Sequence, residues 1–132
     1  MSQPRPSDRP PPPLLEVTGL RTYLQLKRST VHAVDGVDLT VRSGETLGLV
    51  GESGCGKTMT VLSLIRLLPA GGRVVDGTIR LDGQDLLTLD DDAMRQIRGA
   101  RIGMIFQDPL TSLNPSMTIG AQIAEAVRLQ RR

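Results

Sequence analysis

The chain has 132 residues, a net charge of +2, one cysteine and two aromatic residues, Tyr23 and Phe106. Its basic residues are scattered among acidic ones and it has few aromatic rings for bases to stack on, so we expect no nucleic-acid partner. A single cysteine excludes an internal disulfide and favours a cytoplasmic compartment. No apolar run approaches the roughly 18 residues that a membrane-spanning helix needs.

The beginning of the chain differs in composition from the rest. Residues 1–13 contain six of the nine prolines and few apolar side chains, which is typical of an extended, disordered leader. They lack the apolar central stretch of a secretory signal peptide. We therefore predict a disordered proline-rich leader over residues 1–13 and a single domain over residues 14–132.

Short apolar runs, turns and helical patterns alternate through the rest of the sequence. Predicted strands cover residues 14–18, 31–34, 37–41, 46–50, 77–81 and 102–106. Predicted helices cover residues 57–68, 90–98 and 118–130. This mixture of strands and helices indicates an α/β domain with an antiparallel portion near its start.

Local signals mark the ends of several of these elements. Asp82-Gly83 is typical of a hairpin turn after the strand at residues 77–81. Thr88 and Asp91 have the spacing of a capping box that opens the helix at residues 90–98, and Gly99 ends it. A polar, proline-bearing loop is predicted from Gln107 to Ser116.

Residues 51–58 read Gly-Glu-Ser-Gly-Cys-Gly-Lys-Thr, a complete phosphate-binding loop between a predicted strand and a predicted helix. Glycines let backbone N–H groups approach phosphate oxygens, and the positive end of the following helix adds to the attraction. In such a loop Lys57 would reach the β and γ phosphates, and the Thr58 hydroxyl would bind Mg²⁺. The sequence therefore predicts a site for a nucleoside triphosphate with Mg²⁺.

The composition of the chain supports a functional role for Lys57 and does not decide the role of Cys55. Fourteen of the sixteen basic residues are Arg and only Lys27 and Lys57 are Lys, so a compact ammonium group is favoured at position 57. Cys55 is either a small residue that the loop tolerates or a redox switch, and we favour the first interpretation.

Several stretches of the chain resemble the ATP-binding subunits of ABC transporters. They are residues 34–37, residues 44–50, the phosphate-binding loop and residues 105–115. The last run, with Gln107 followed by Asp-Pro and then Ser-Leu-Asn-Pro, is similar to the oligopeptide, dipeptide and nickel permease branch, as is the stretch 85–99. The resemblance covers residues 14–127 and implies a P-loop NTPase fold of the ABC type.

The resemblance also implies roles for individual residues. Gln107 would sense the nucleotide by contacting Mg²⁺ or the attacking water, so the implied catalytic residues are Lys57 and Gln107, and the implied metal ligands are Thr58 and Gln107. Tyr23 is either the aromatic that stacks on adenine or a half-buried strand residue. The candidate nucleotide-binding residues are Tyr23, Gly51, Glu52, Ser53, Gly54, Cys55, Gly56, Lys57, Thr58 and Thr60.

By resemblance, the function is transport of peptides, or of a related solute such as nickel, powered by ATP hydrolysis. The implied partners are integral membrane permease subunits, contacted through the loop that begins at Gln107, and a second ATP-binding subunit in a homo- or heterodimer. A solute-binding protein would act indirectly. The subunit would be peripheral, on the cytoplasmic face of the inner membrane.

Parts of the family's machinery are missing from the sequence. The Ser-Gly-Gly signature, the Walker B strand with its catalytic Glu, and the switch His would all follow Gln107, and none is present. His32 precedes the phosphate-binding loop and cannot be the switch, and residues 86–91 come too early for Walker B. We therefore expect the N-terminal part of a subunit, without steady ATPase activity by itself.

Two other classes remain open at this point. A different P-loop NTPase, such as a GTPase, would need a guanine-reading motif that the sequence lacks. A truncated, non-catalytic fragment that binds a nucleotide or a partner subunit is the second alternative.

Overall fold

The computed structural model describes residues 12–108 and 112–130. The chain forms two compact units, Met1–Leu89 and Asp90–Arg132. Most of the leader predicted for residues 1–13 lies outside the described residues, as do residues 109–111 of the loop predicted after Gln107.

The described part of the first unit is built on a 4-stranded sheet in the order β2-β1-β3-β4, with every neighbouring pair antiparallel. The strands are β1 (Leu15–Gln25), β2 (Thr30–Val41), β3 (Gly72–Leu81) and β4 (Gln84–Asp85). The predicted antiparallel portion is therefore confirmed. The two strands predicted between residues 31 and 41 form one, because Gly36, with φ 78°, is accommodated as a bulge instead of ending the strand.

A tight turn at Asp82 and Gly83 joins β3 to β4. Asp82 has φ 52° and Gly83 has φ 80°, and positive φ at both central residues is the requirement of a type I′ hairpin turn. Asp tolerates this conformation and Gly adopts it without strain. The hairpin turn predicted here is confirmed.

Helix α1 (Lys57–Leu64) packs on one face of this sheet, against β1, β2 and β3. Thr22 and Ser63 are completely buried at this contact, and their hydroxyl oxygens are 2.7 Å apart. Ser63 donates its hydrogen to the Met59 carbonyl, so Thr22 is the donor between the two hydroxyls. The apolar core around them consists of Val17, Leu20, Val34, Ile65, Ile79, Leu81 and Leu86.

The helix is shorter than the predicted range of residues 57–68. Arg66 has φ 53°, a left-handed conformation that cannot continue an α-helix. Its guanidinium donates hydrogen bonds to the carbonyls of Leu86 (3.4 Å) and Leu89 (2.6 Å). These long-range bonds stabilise the turn in which α1 ends.

Two predicted strands, residues 46–50 and 102–106, are not strands in the structure. Within the described ranges their only ladder contact is an isolated bridge between Arg98 and Ile102. Val50 and Ile105 are each 96% exposed. The apolar pattern is that of buried strands, but a strand forms only where a neighbouring strand satisfies its backbone N–H and C=O groups. No described segment does so here, and these predictions are wrong for this chain.

We expect these two exposed runs to limit solubility, because apolar segments with unpaired backbone groups favour edge-to-edge association. The double substitution Val50→Thr with Ile105→Thr should increase the protein concentration that remains in solution after centrifugation, and should reduce light scattering. The control is Ile79→Thr, the same type of change at a side chain with no exposure, which should lower solubility by weakening the core. An unchanged solubility of the double variant would contradict this account.

The second unit contains α2 (Asp91–Ile97) and α3 (Ile119–Gln130). The Asp90 carboxylate caps α2 by accepting a hydrogen bond of 2.7 Å from the Ala93 N–H. The predicted capping box is wrong, since the Thr88 hydroxyl donates instead to the Asp85 carbonyl at 2.9 Å. Asp90 has the better geometry because it directly precedes the first helical residue.

Side chains of the turn that precedes helix α3 stabilise that turn and the start of the helix. The Asn114 side-chain oxygen accepts hydrogen bonds from the Ser116 N–H and hydroxyl, and the Thr118 hydroxyl accepts one from the Ala121 N–H. These bonds explain the predicted start near residue 118. In the part of the chain that the structure describes, no helix combines the length and the apolar character required to traverse a bilayer.

Candidate functional site

The predicted phosphate-binding loop curves around the side chain of Lys57. The Lys57 Nζ donates hydrogen bonds of 2.6 Å to the carbonyl oxygens of Gly51 and Glu52, and it lies 3.4 Å from the Cys55 Sγ. Because Lys57 is the first residue of α1, these bonds draw the start of the loop towards the start of the helix. The ammonium group is thus held at the centre of the loop by neutral carbonyls.

The start of α1 lacks the usual side-chain cap. Its N-cap residue is Gly56, which has no side chain, and its first turn contains no acidic residue. Helix α2 provides a contrast, because Asp90 caps it and two acidic residues occupy its first turn. The first N–H groups of α1 therefore keep their capacity to donate to an anion, and the helix dipole favours a negative charge there.

Gly56 lies against the backbone of β2. A Cβ atom at this position would be 2.4 Å from the Ala33 carbonyl oxygen, and the φ of 93° is itself unfavourable for residues other than glycine. Gly54 also has a left-handed φ, of 82°, but a Cβ atom there would meet nothing within 4 Å. Gly56 is thus required by both conformation and contact, and Gly54 by conformation alone.

The other predicted loop residues differ in exposure. Thr60 is buried, and its hydroxyl donates a hydrogen bond of 2.9 Å to the Gly56 carbonyl, so it stabilises the first turn of α1. A Cβ atom on Gly51 would be 2.5 Å from the Cys55 Sγ, which shows how closely the two ends of the loop approach. The exposed members of the set are Gly51, Glu52, Ser53, Gly54, Cys55 and Thr58.

Tyr23, the predicted base-stacking residue, lies on β1 and is stacked on His32 of β2. The two ring centroids are 3.9 Å apart and the ring planes differ by 2°. In the register of the two strands, Thr22 pairs with Val34 and Tyr23 pairs with His32, which leaves Ala33 as an extra residue. This β-bulge presents the Ala33 carbonyl to Gly56, so the aromatic pair and the phosphate-binding loop adjoin the same residue.

The predicted site residues are divided between the two units. Tyr23 and the whole loop belong to the first unit, where the structure brings the loop against β2. Gln107 belongs to the second unit and is exposed. The sequence pattern indicates neither Ala33 nor His32 as a neighbour of the loop, although both lie within the predicted strand at residues 31–34.

A family model described as ABC transporter matches residues 34–131, more than half of the chain. The chain belongs to the ABC transporter family. The family assignment agrees with the resemblance drawn from the loop and from the run after Ile105.

Among the curated relatives in the ABC transporter family, two are about 50% identical in sequence to this chain. A probable peptide ABC transporter ATP-binding protein of Sinorhizobium fredii is 51% identical over 120 residues, which are 90% of this chain and 36% of that relative. The oligopeptide transport ATP-binding protein AppD of Bacillus subtilis is 49% identical over 115 residues, 86% of this chain and 35% of the relative. The chain thus spans about a third of the length of the curated relatives it matches.

Solved structures of ABC transporter cassettes share the fold. One dimeric bacterial cassette has a TM-score of 0.77 at 23% identity, covering 89% of this chain and 48% of that chain. A second, a post-hydrolysis state bound to ADP and Pi, has a TM-score of 0.63 at 20% identity, covering 86% and 54%. At these identities the likeness establishes the fold alone, and it confirms the predicted ABC-type architecture.

The residues present fit the phosphate groups of a nucleotide. The loop supplies an ammonium group that is bonded only to neutral acceptors, and the helix that follows has an uncapped N-terminus. Glycine at position 56 lets the loop lie directly on β2. This combination of a cation, free N–H donors and a close backbone turn is what a chain of phosphates requires.

Proposed function

We propose that this chain is the nucleotide-binding part of an ATP-binding subunit that powers the transport of peptides, or of a related solute such as nickel, across the cytoplasmic membrane. The observation that carries the proposal is the Lys57 ammonium group held within the loop at an uncapped helix terminus. Membership of the ABC transporter family supports it, as do relatives named for peptide and oligopeptide transport.

In this proposal the triphosphate of ATP lies on the loop between Gly51 and the first turn of α1. Lys57 Nζ exchanges the carbonyls of Gly51 and Glu52 for β and γ phosphate oxygens. The exchange is favourable because hydrogen bonds between two charged groups are stronger than those to a neutral carbonyl. The N–H groups at the start of α1 donate to the remaining phosphate oxygens.

Thr58 and Gln107 are the proposed Mg²⁺ ligands. Bound Mg²⁺ would neutralise charge on the β and γ phosphates, and it prefers hard oxygen ligands such as a hydroxyl group and phosphate oxygens. Thr58 is exposed and directly follows Lys57, so its hydroxyl lies close to the proposed position of the phosphates. Gln107 is assigned by resemblance and would contact the metal or orient the attacking water in the complete subunit.

Tyr23 is the proposed partner of the adenine ring. Its strand is bonded to α1 through the buried hydroxyls of Thr22 and Ser63, so the ring has a defined position relative to the helix that follows the loop. A base that stacks on an aromatic side chain buries apolar area without requiring a particular hydrogen-bond pattern.

The proposed partners are permease subunits in the membrane and a second ATP-binding subunit, with a solute-binding protein acting indirectly. The loop that begins at Gln107 would face the permease by resemblance. This places the proposed subunit at the cytoplasmic face of the membrane, as a peripheral protein.

The role of Thr58 in metal binding gives a direct test. Valine has nearly the shape of threonine without the hydroxyl, so Thr58→Val should leave metal-free ATP binding unchanged and remove most of the gain in affinity that Mg²⁺ produces. Calorimetric titrations with ATP, in Mg²⁺ and in a chelator, measure both quantities. Thr40→Val, the same change at an exposed position of β2, should keep the full effect of Mg²⁺. If Thr58→Val keeps it too, the metal assignment is wrong.

A further inference from the structure

We propose that His32 is a positioning residue for the nucleotide base. Its imidazole stacks on Tyr23 and holds the phenol ring in the orientation in which adenine docks. The proposal rests on the proposed function, in which Tyr23 stacks on the base of ATP. It assigns to His32 a role that neither the phosphate-binding motif nor the family resemblance suggested.

The geometry of the pair supports this role. The rings are parallel to within 2° with their centroids 3.9 Å apart, so the imidazole covers one face of the phenol ring. His32 is exposed and Tyr23 is half-buried, so the pair lies at the surface, where a ligand can reach it. Because the imidazole covers one face, adenine would stack on the opposite face of the Tyr23 ring, and His32 would restrict the rotation of that ring.

The bulge at Ala33 creates the pair. Alternate residues of a regular strand share a face, so without the extra residue His32 would lie on the same face as Val34, which is buried in the core. Ala33 shifts the register by one residue, and this moves His32 to the opposite face, where it meets Tyr23.

The same bulge connects the aromatic pair to the phosphate-binding loop. The Ala33 carbonyl oxygen lies 2.4 Å from the position that a Cβ atom on Gly56 would occupy, and Gly56 directly precedes Lys57. His32 is the neighbour of Ala33 in the chain. The segment of β2 that carries His32 therefore also contacts the loop that would bind the phosphates.

The test compares variants of His32 with ATP and with tripolyphosphate, which has no base. His32→Ala should weaken ATP binding about three- to tenfold, the range expected for the loss of one aromatic contact, and leave tripolyphosphate binding unchanged. His32→Phe should restore ATP binding, because phenylalanine can stack on Tyr23 in the same way. Calorimetry on the purified chain measures the affinities, and thermal unfolding checks that the variants are folded.

Tyrosine fluorescence gives a second readout that a general loss of stability would not reproduce. Tyr23 is the only tyrosine and the chain has no tryptophan, so the emission reports on this ring alone. ATP should change the emission of the wild-type protein and of His32→Phe, whereas tripolyphosphate should not. His32→Ala should show the change only at higher ATP concentrations.

The outcomes separate this proposal from the proposed function. The benchmark is Tyr23→Leu, which should weaken ATP binding and spare tripolyphosphate binding. If Tyr23→Leu does so and His32→Ala does not, the role of His32 is refuted and that of Tyr23 stands. A failure of His32→Phe to restore binding, or an equal loss of ATP and tripolyphosphate binding in His32→Ala, also refutes it. If Tyr23→Leu leaves ATP binding unchanged, the proposed base site itself is wrong.

Discussion

Replacing Lys57 with alanine should abolish tight ATP binding. The ammonium group is the only side-chain cation that the structure places within the loop, among the residues described. Hydrogen bonds between charged groups contribute about 1.5–3 kcal/mol each, so losing one such bond to the phosphates should weaken binding by about ten- to hundredfold. Calorimetric titration with ATP measures the change.

Two further variants test whether ATP binding requires the lysine ammonium group at position 57 or only a positive charge in the chain. Lys27→Ala removes the other lysine of the chain, with the same change in net charge, and should bind ATP like the wild type. Lys57→Arg keeps the charge, but a planar guanidinium cannot reproduce the geometry of the compact ammonium group that bonds the Gly51 and Glu52 carbonyls at 2.6 Å, so this variant should bind ATP poorly. An ATP affinity of Lys57→Ala equal to that of the wild type would overturn the assignment of the loop.

Gly56→Ala should damage both the fold and the site. The added Cβ atom would approach the Ala33 carbonyl oxygen to 2.4 Å, and alanine disfavours a φ of 93°. A left-handed conformation costs a residue with a side chain about 1–2 kcal/mol, and the contact adds to that cost, so we expect a loss of about 2–4 kcal/mol in the free energy of unfolding. Denaturant titration measures this loss. ATP binding should fall as the loop moves away from β2.

Gly54→Ala is the matched control for this prediction. Gly54 has a similar φ of 82°, but a Cβ atom there would meet nothing within 4 Å. Its unfolding free energy should fall only by the conformational cost, about 1–2 kcal/mol. The difference between the two variants therefore measures the contact between Gly56 and Ala33. Equal stabilities would show that the loop does not rest on β2 in the way the structure describes.

The sequence by itself determined the features that depend on neighbouring residues. The spacing of the glycines, Lys57 and Thr58 identifies the phosphate-binding loop, because the chemistry of phosphate binding requires these residue types at these intervals. The Asp82-Gly83 turn and the start of α1 were also predictable, since both depend on the conformational preferences of a few adjacent residues. The antiparallel portion followed from the pattern of short strands near the start.

Whether residues 46–50 and 102–106 form strands could not be decided from the neighbouring residues of the sequence. Both runs have the composition of buried strands, yet Val50 and Ile105 are almost fully exposed. An apolar run shows what a segment could bury, whereas a strand also requires a partner whose backbone pairs with it. Whether such a partner strand is available depends on how the other segments of the chain fold, and the apolar run itself does not show it.

Only the tertiary structure decided that His32 belongs beside the predicted site. Regular alternation along β2 would place His32 on the same face as the buried Val34, away from Tyr23. One extra residue, Ala33, reverses the faces and at the same time sets its carbonyl against Gly56. A bulge depends on how two strands pair with each other and with the loop packed on them. The residues that it brings together therefore become visible only when the strands are in place.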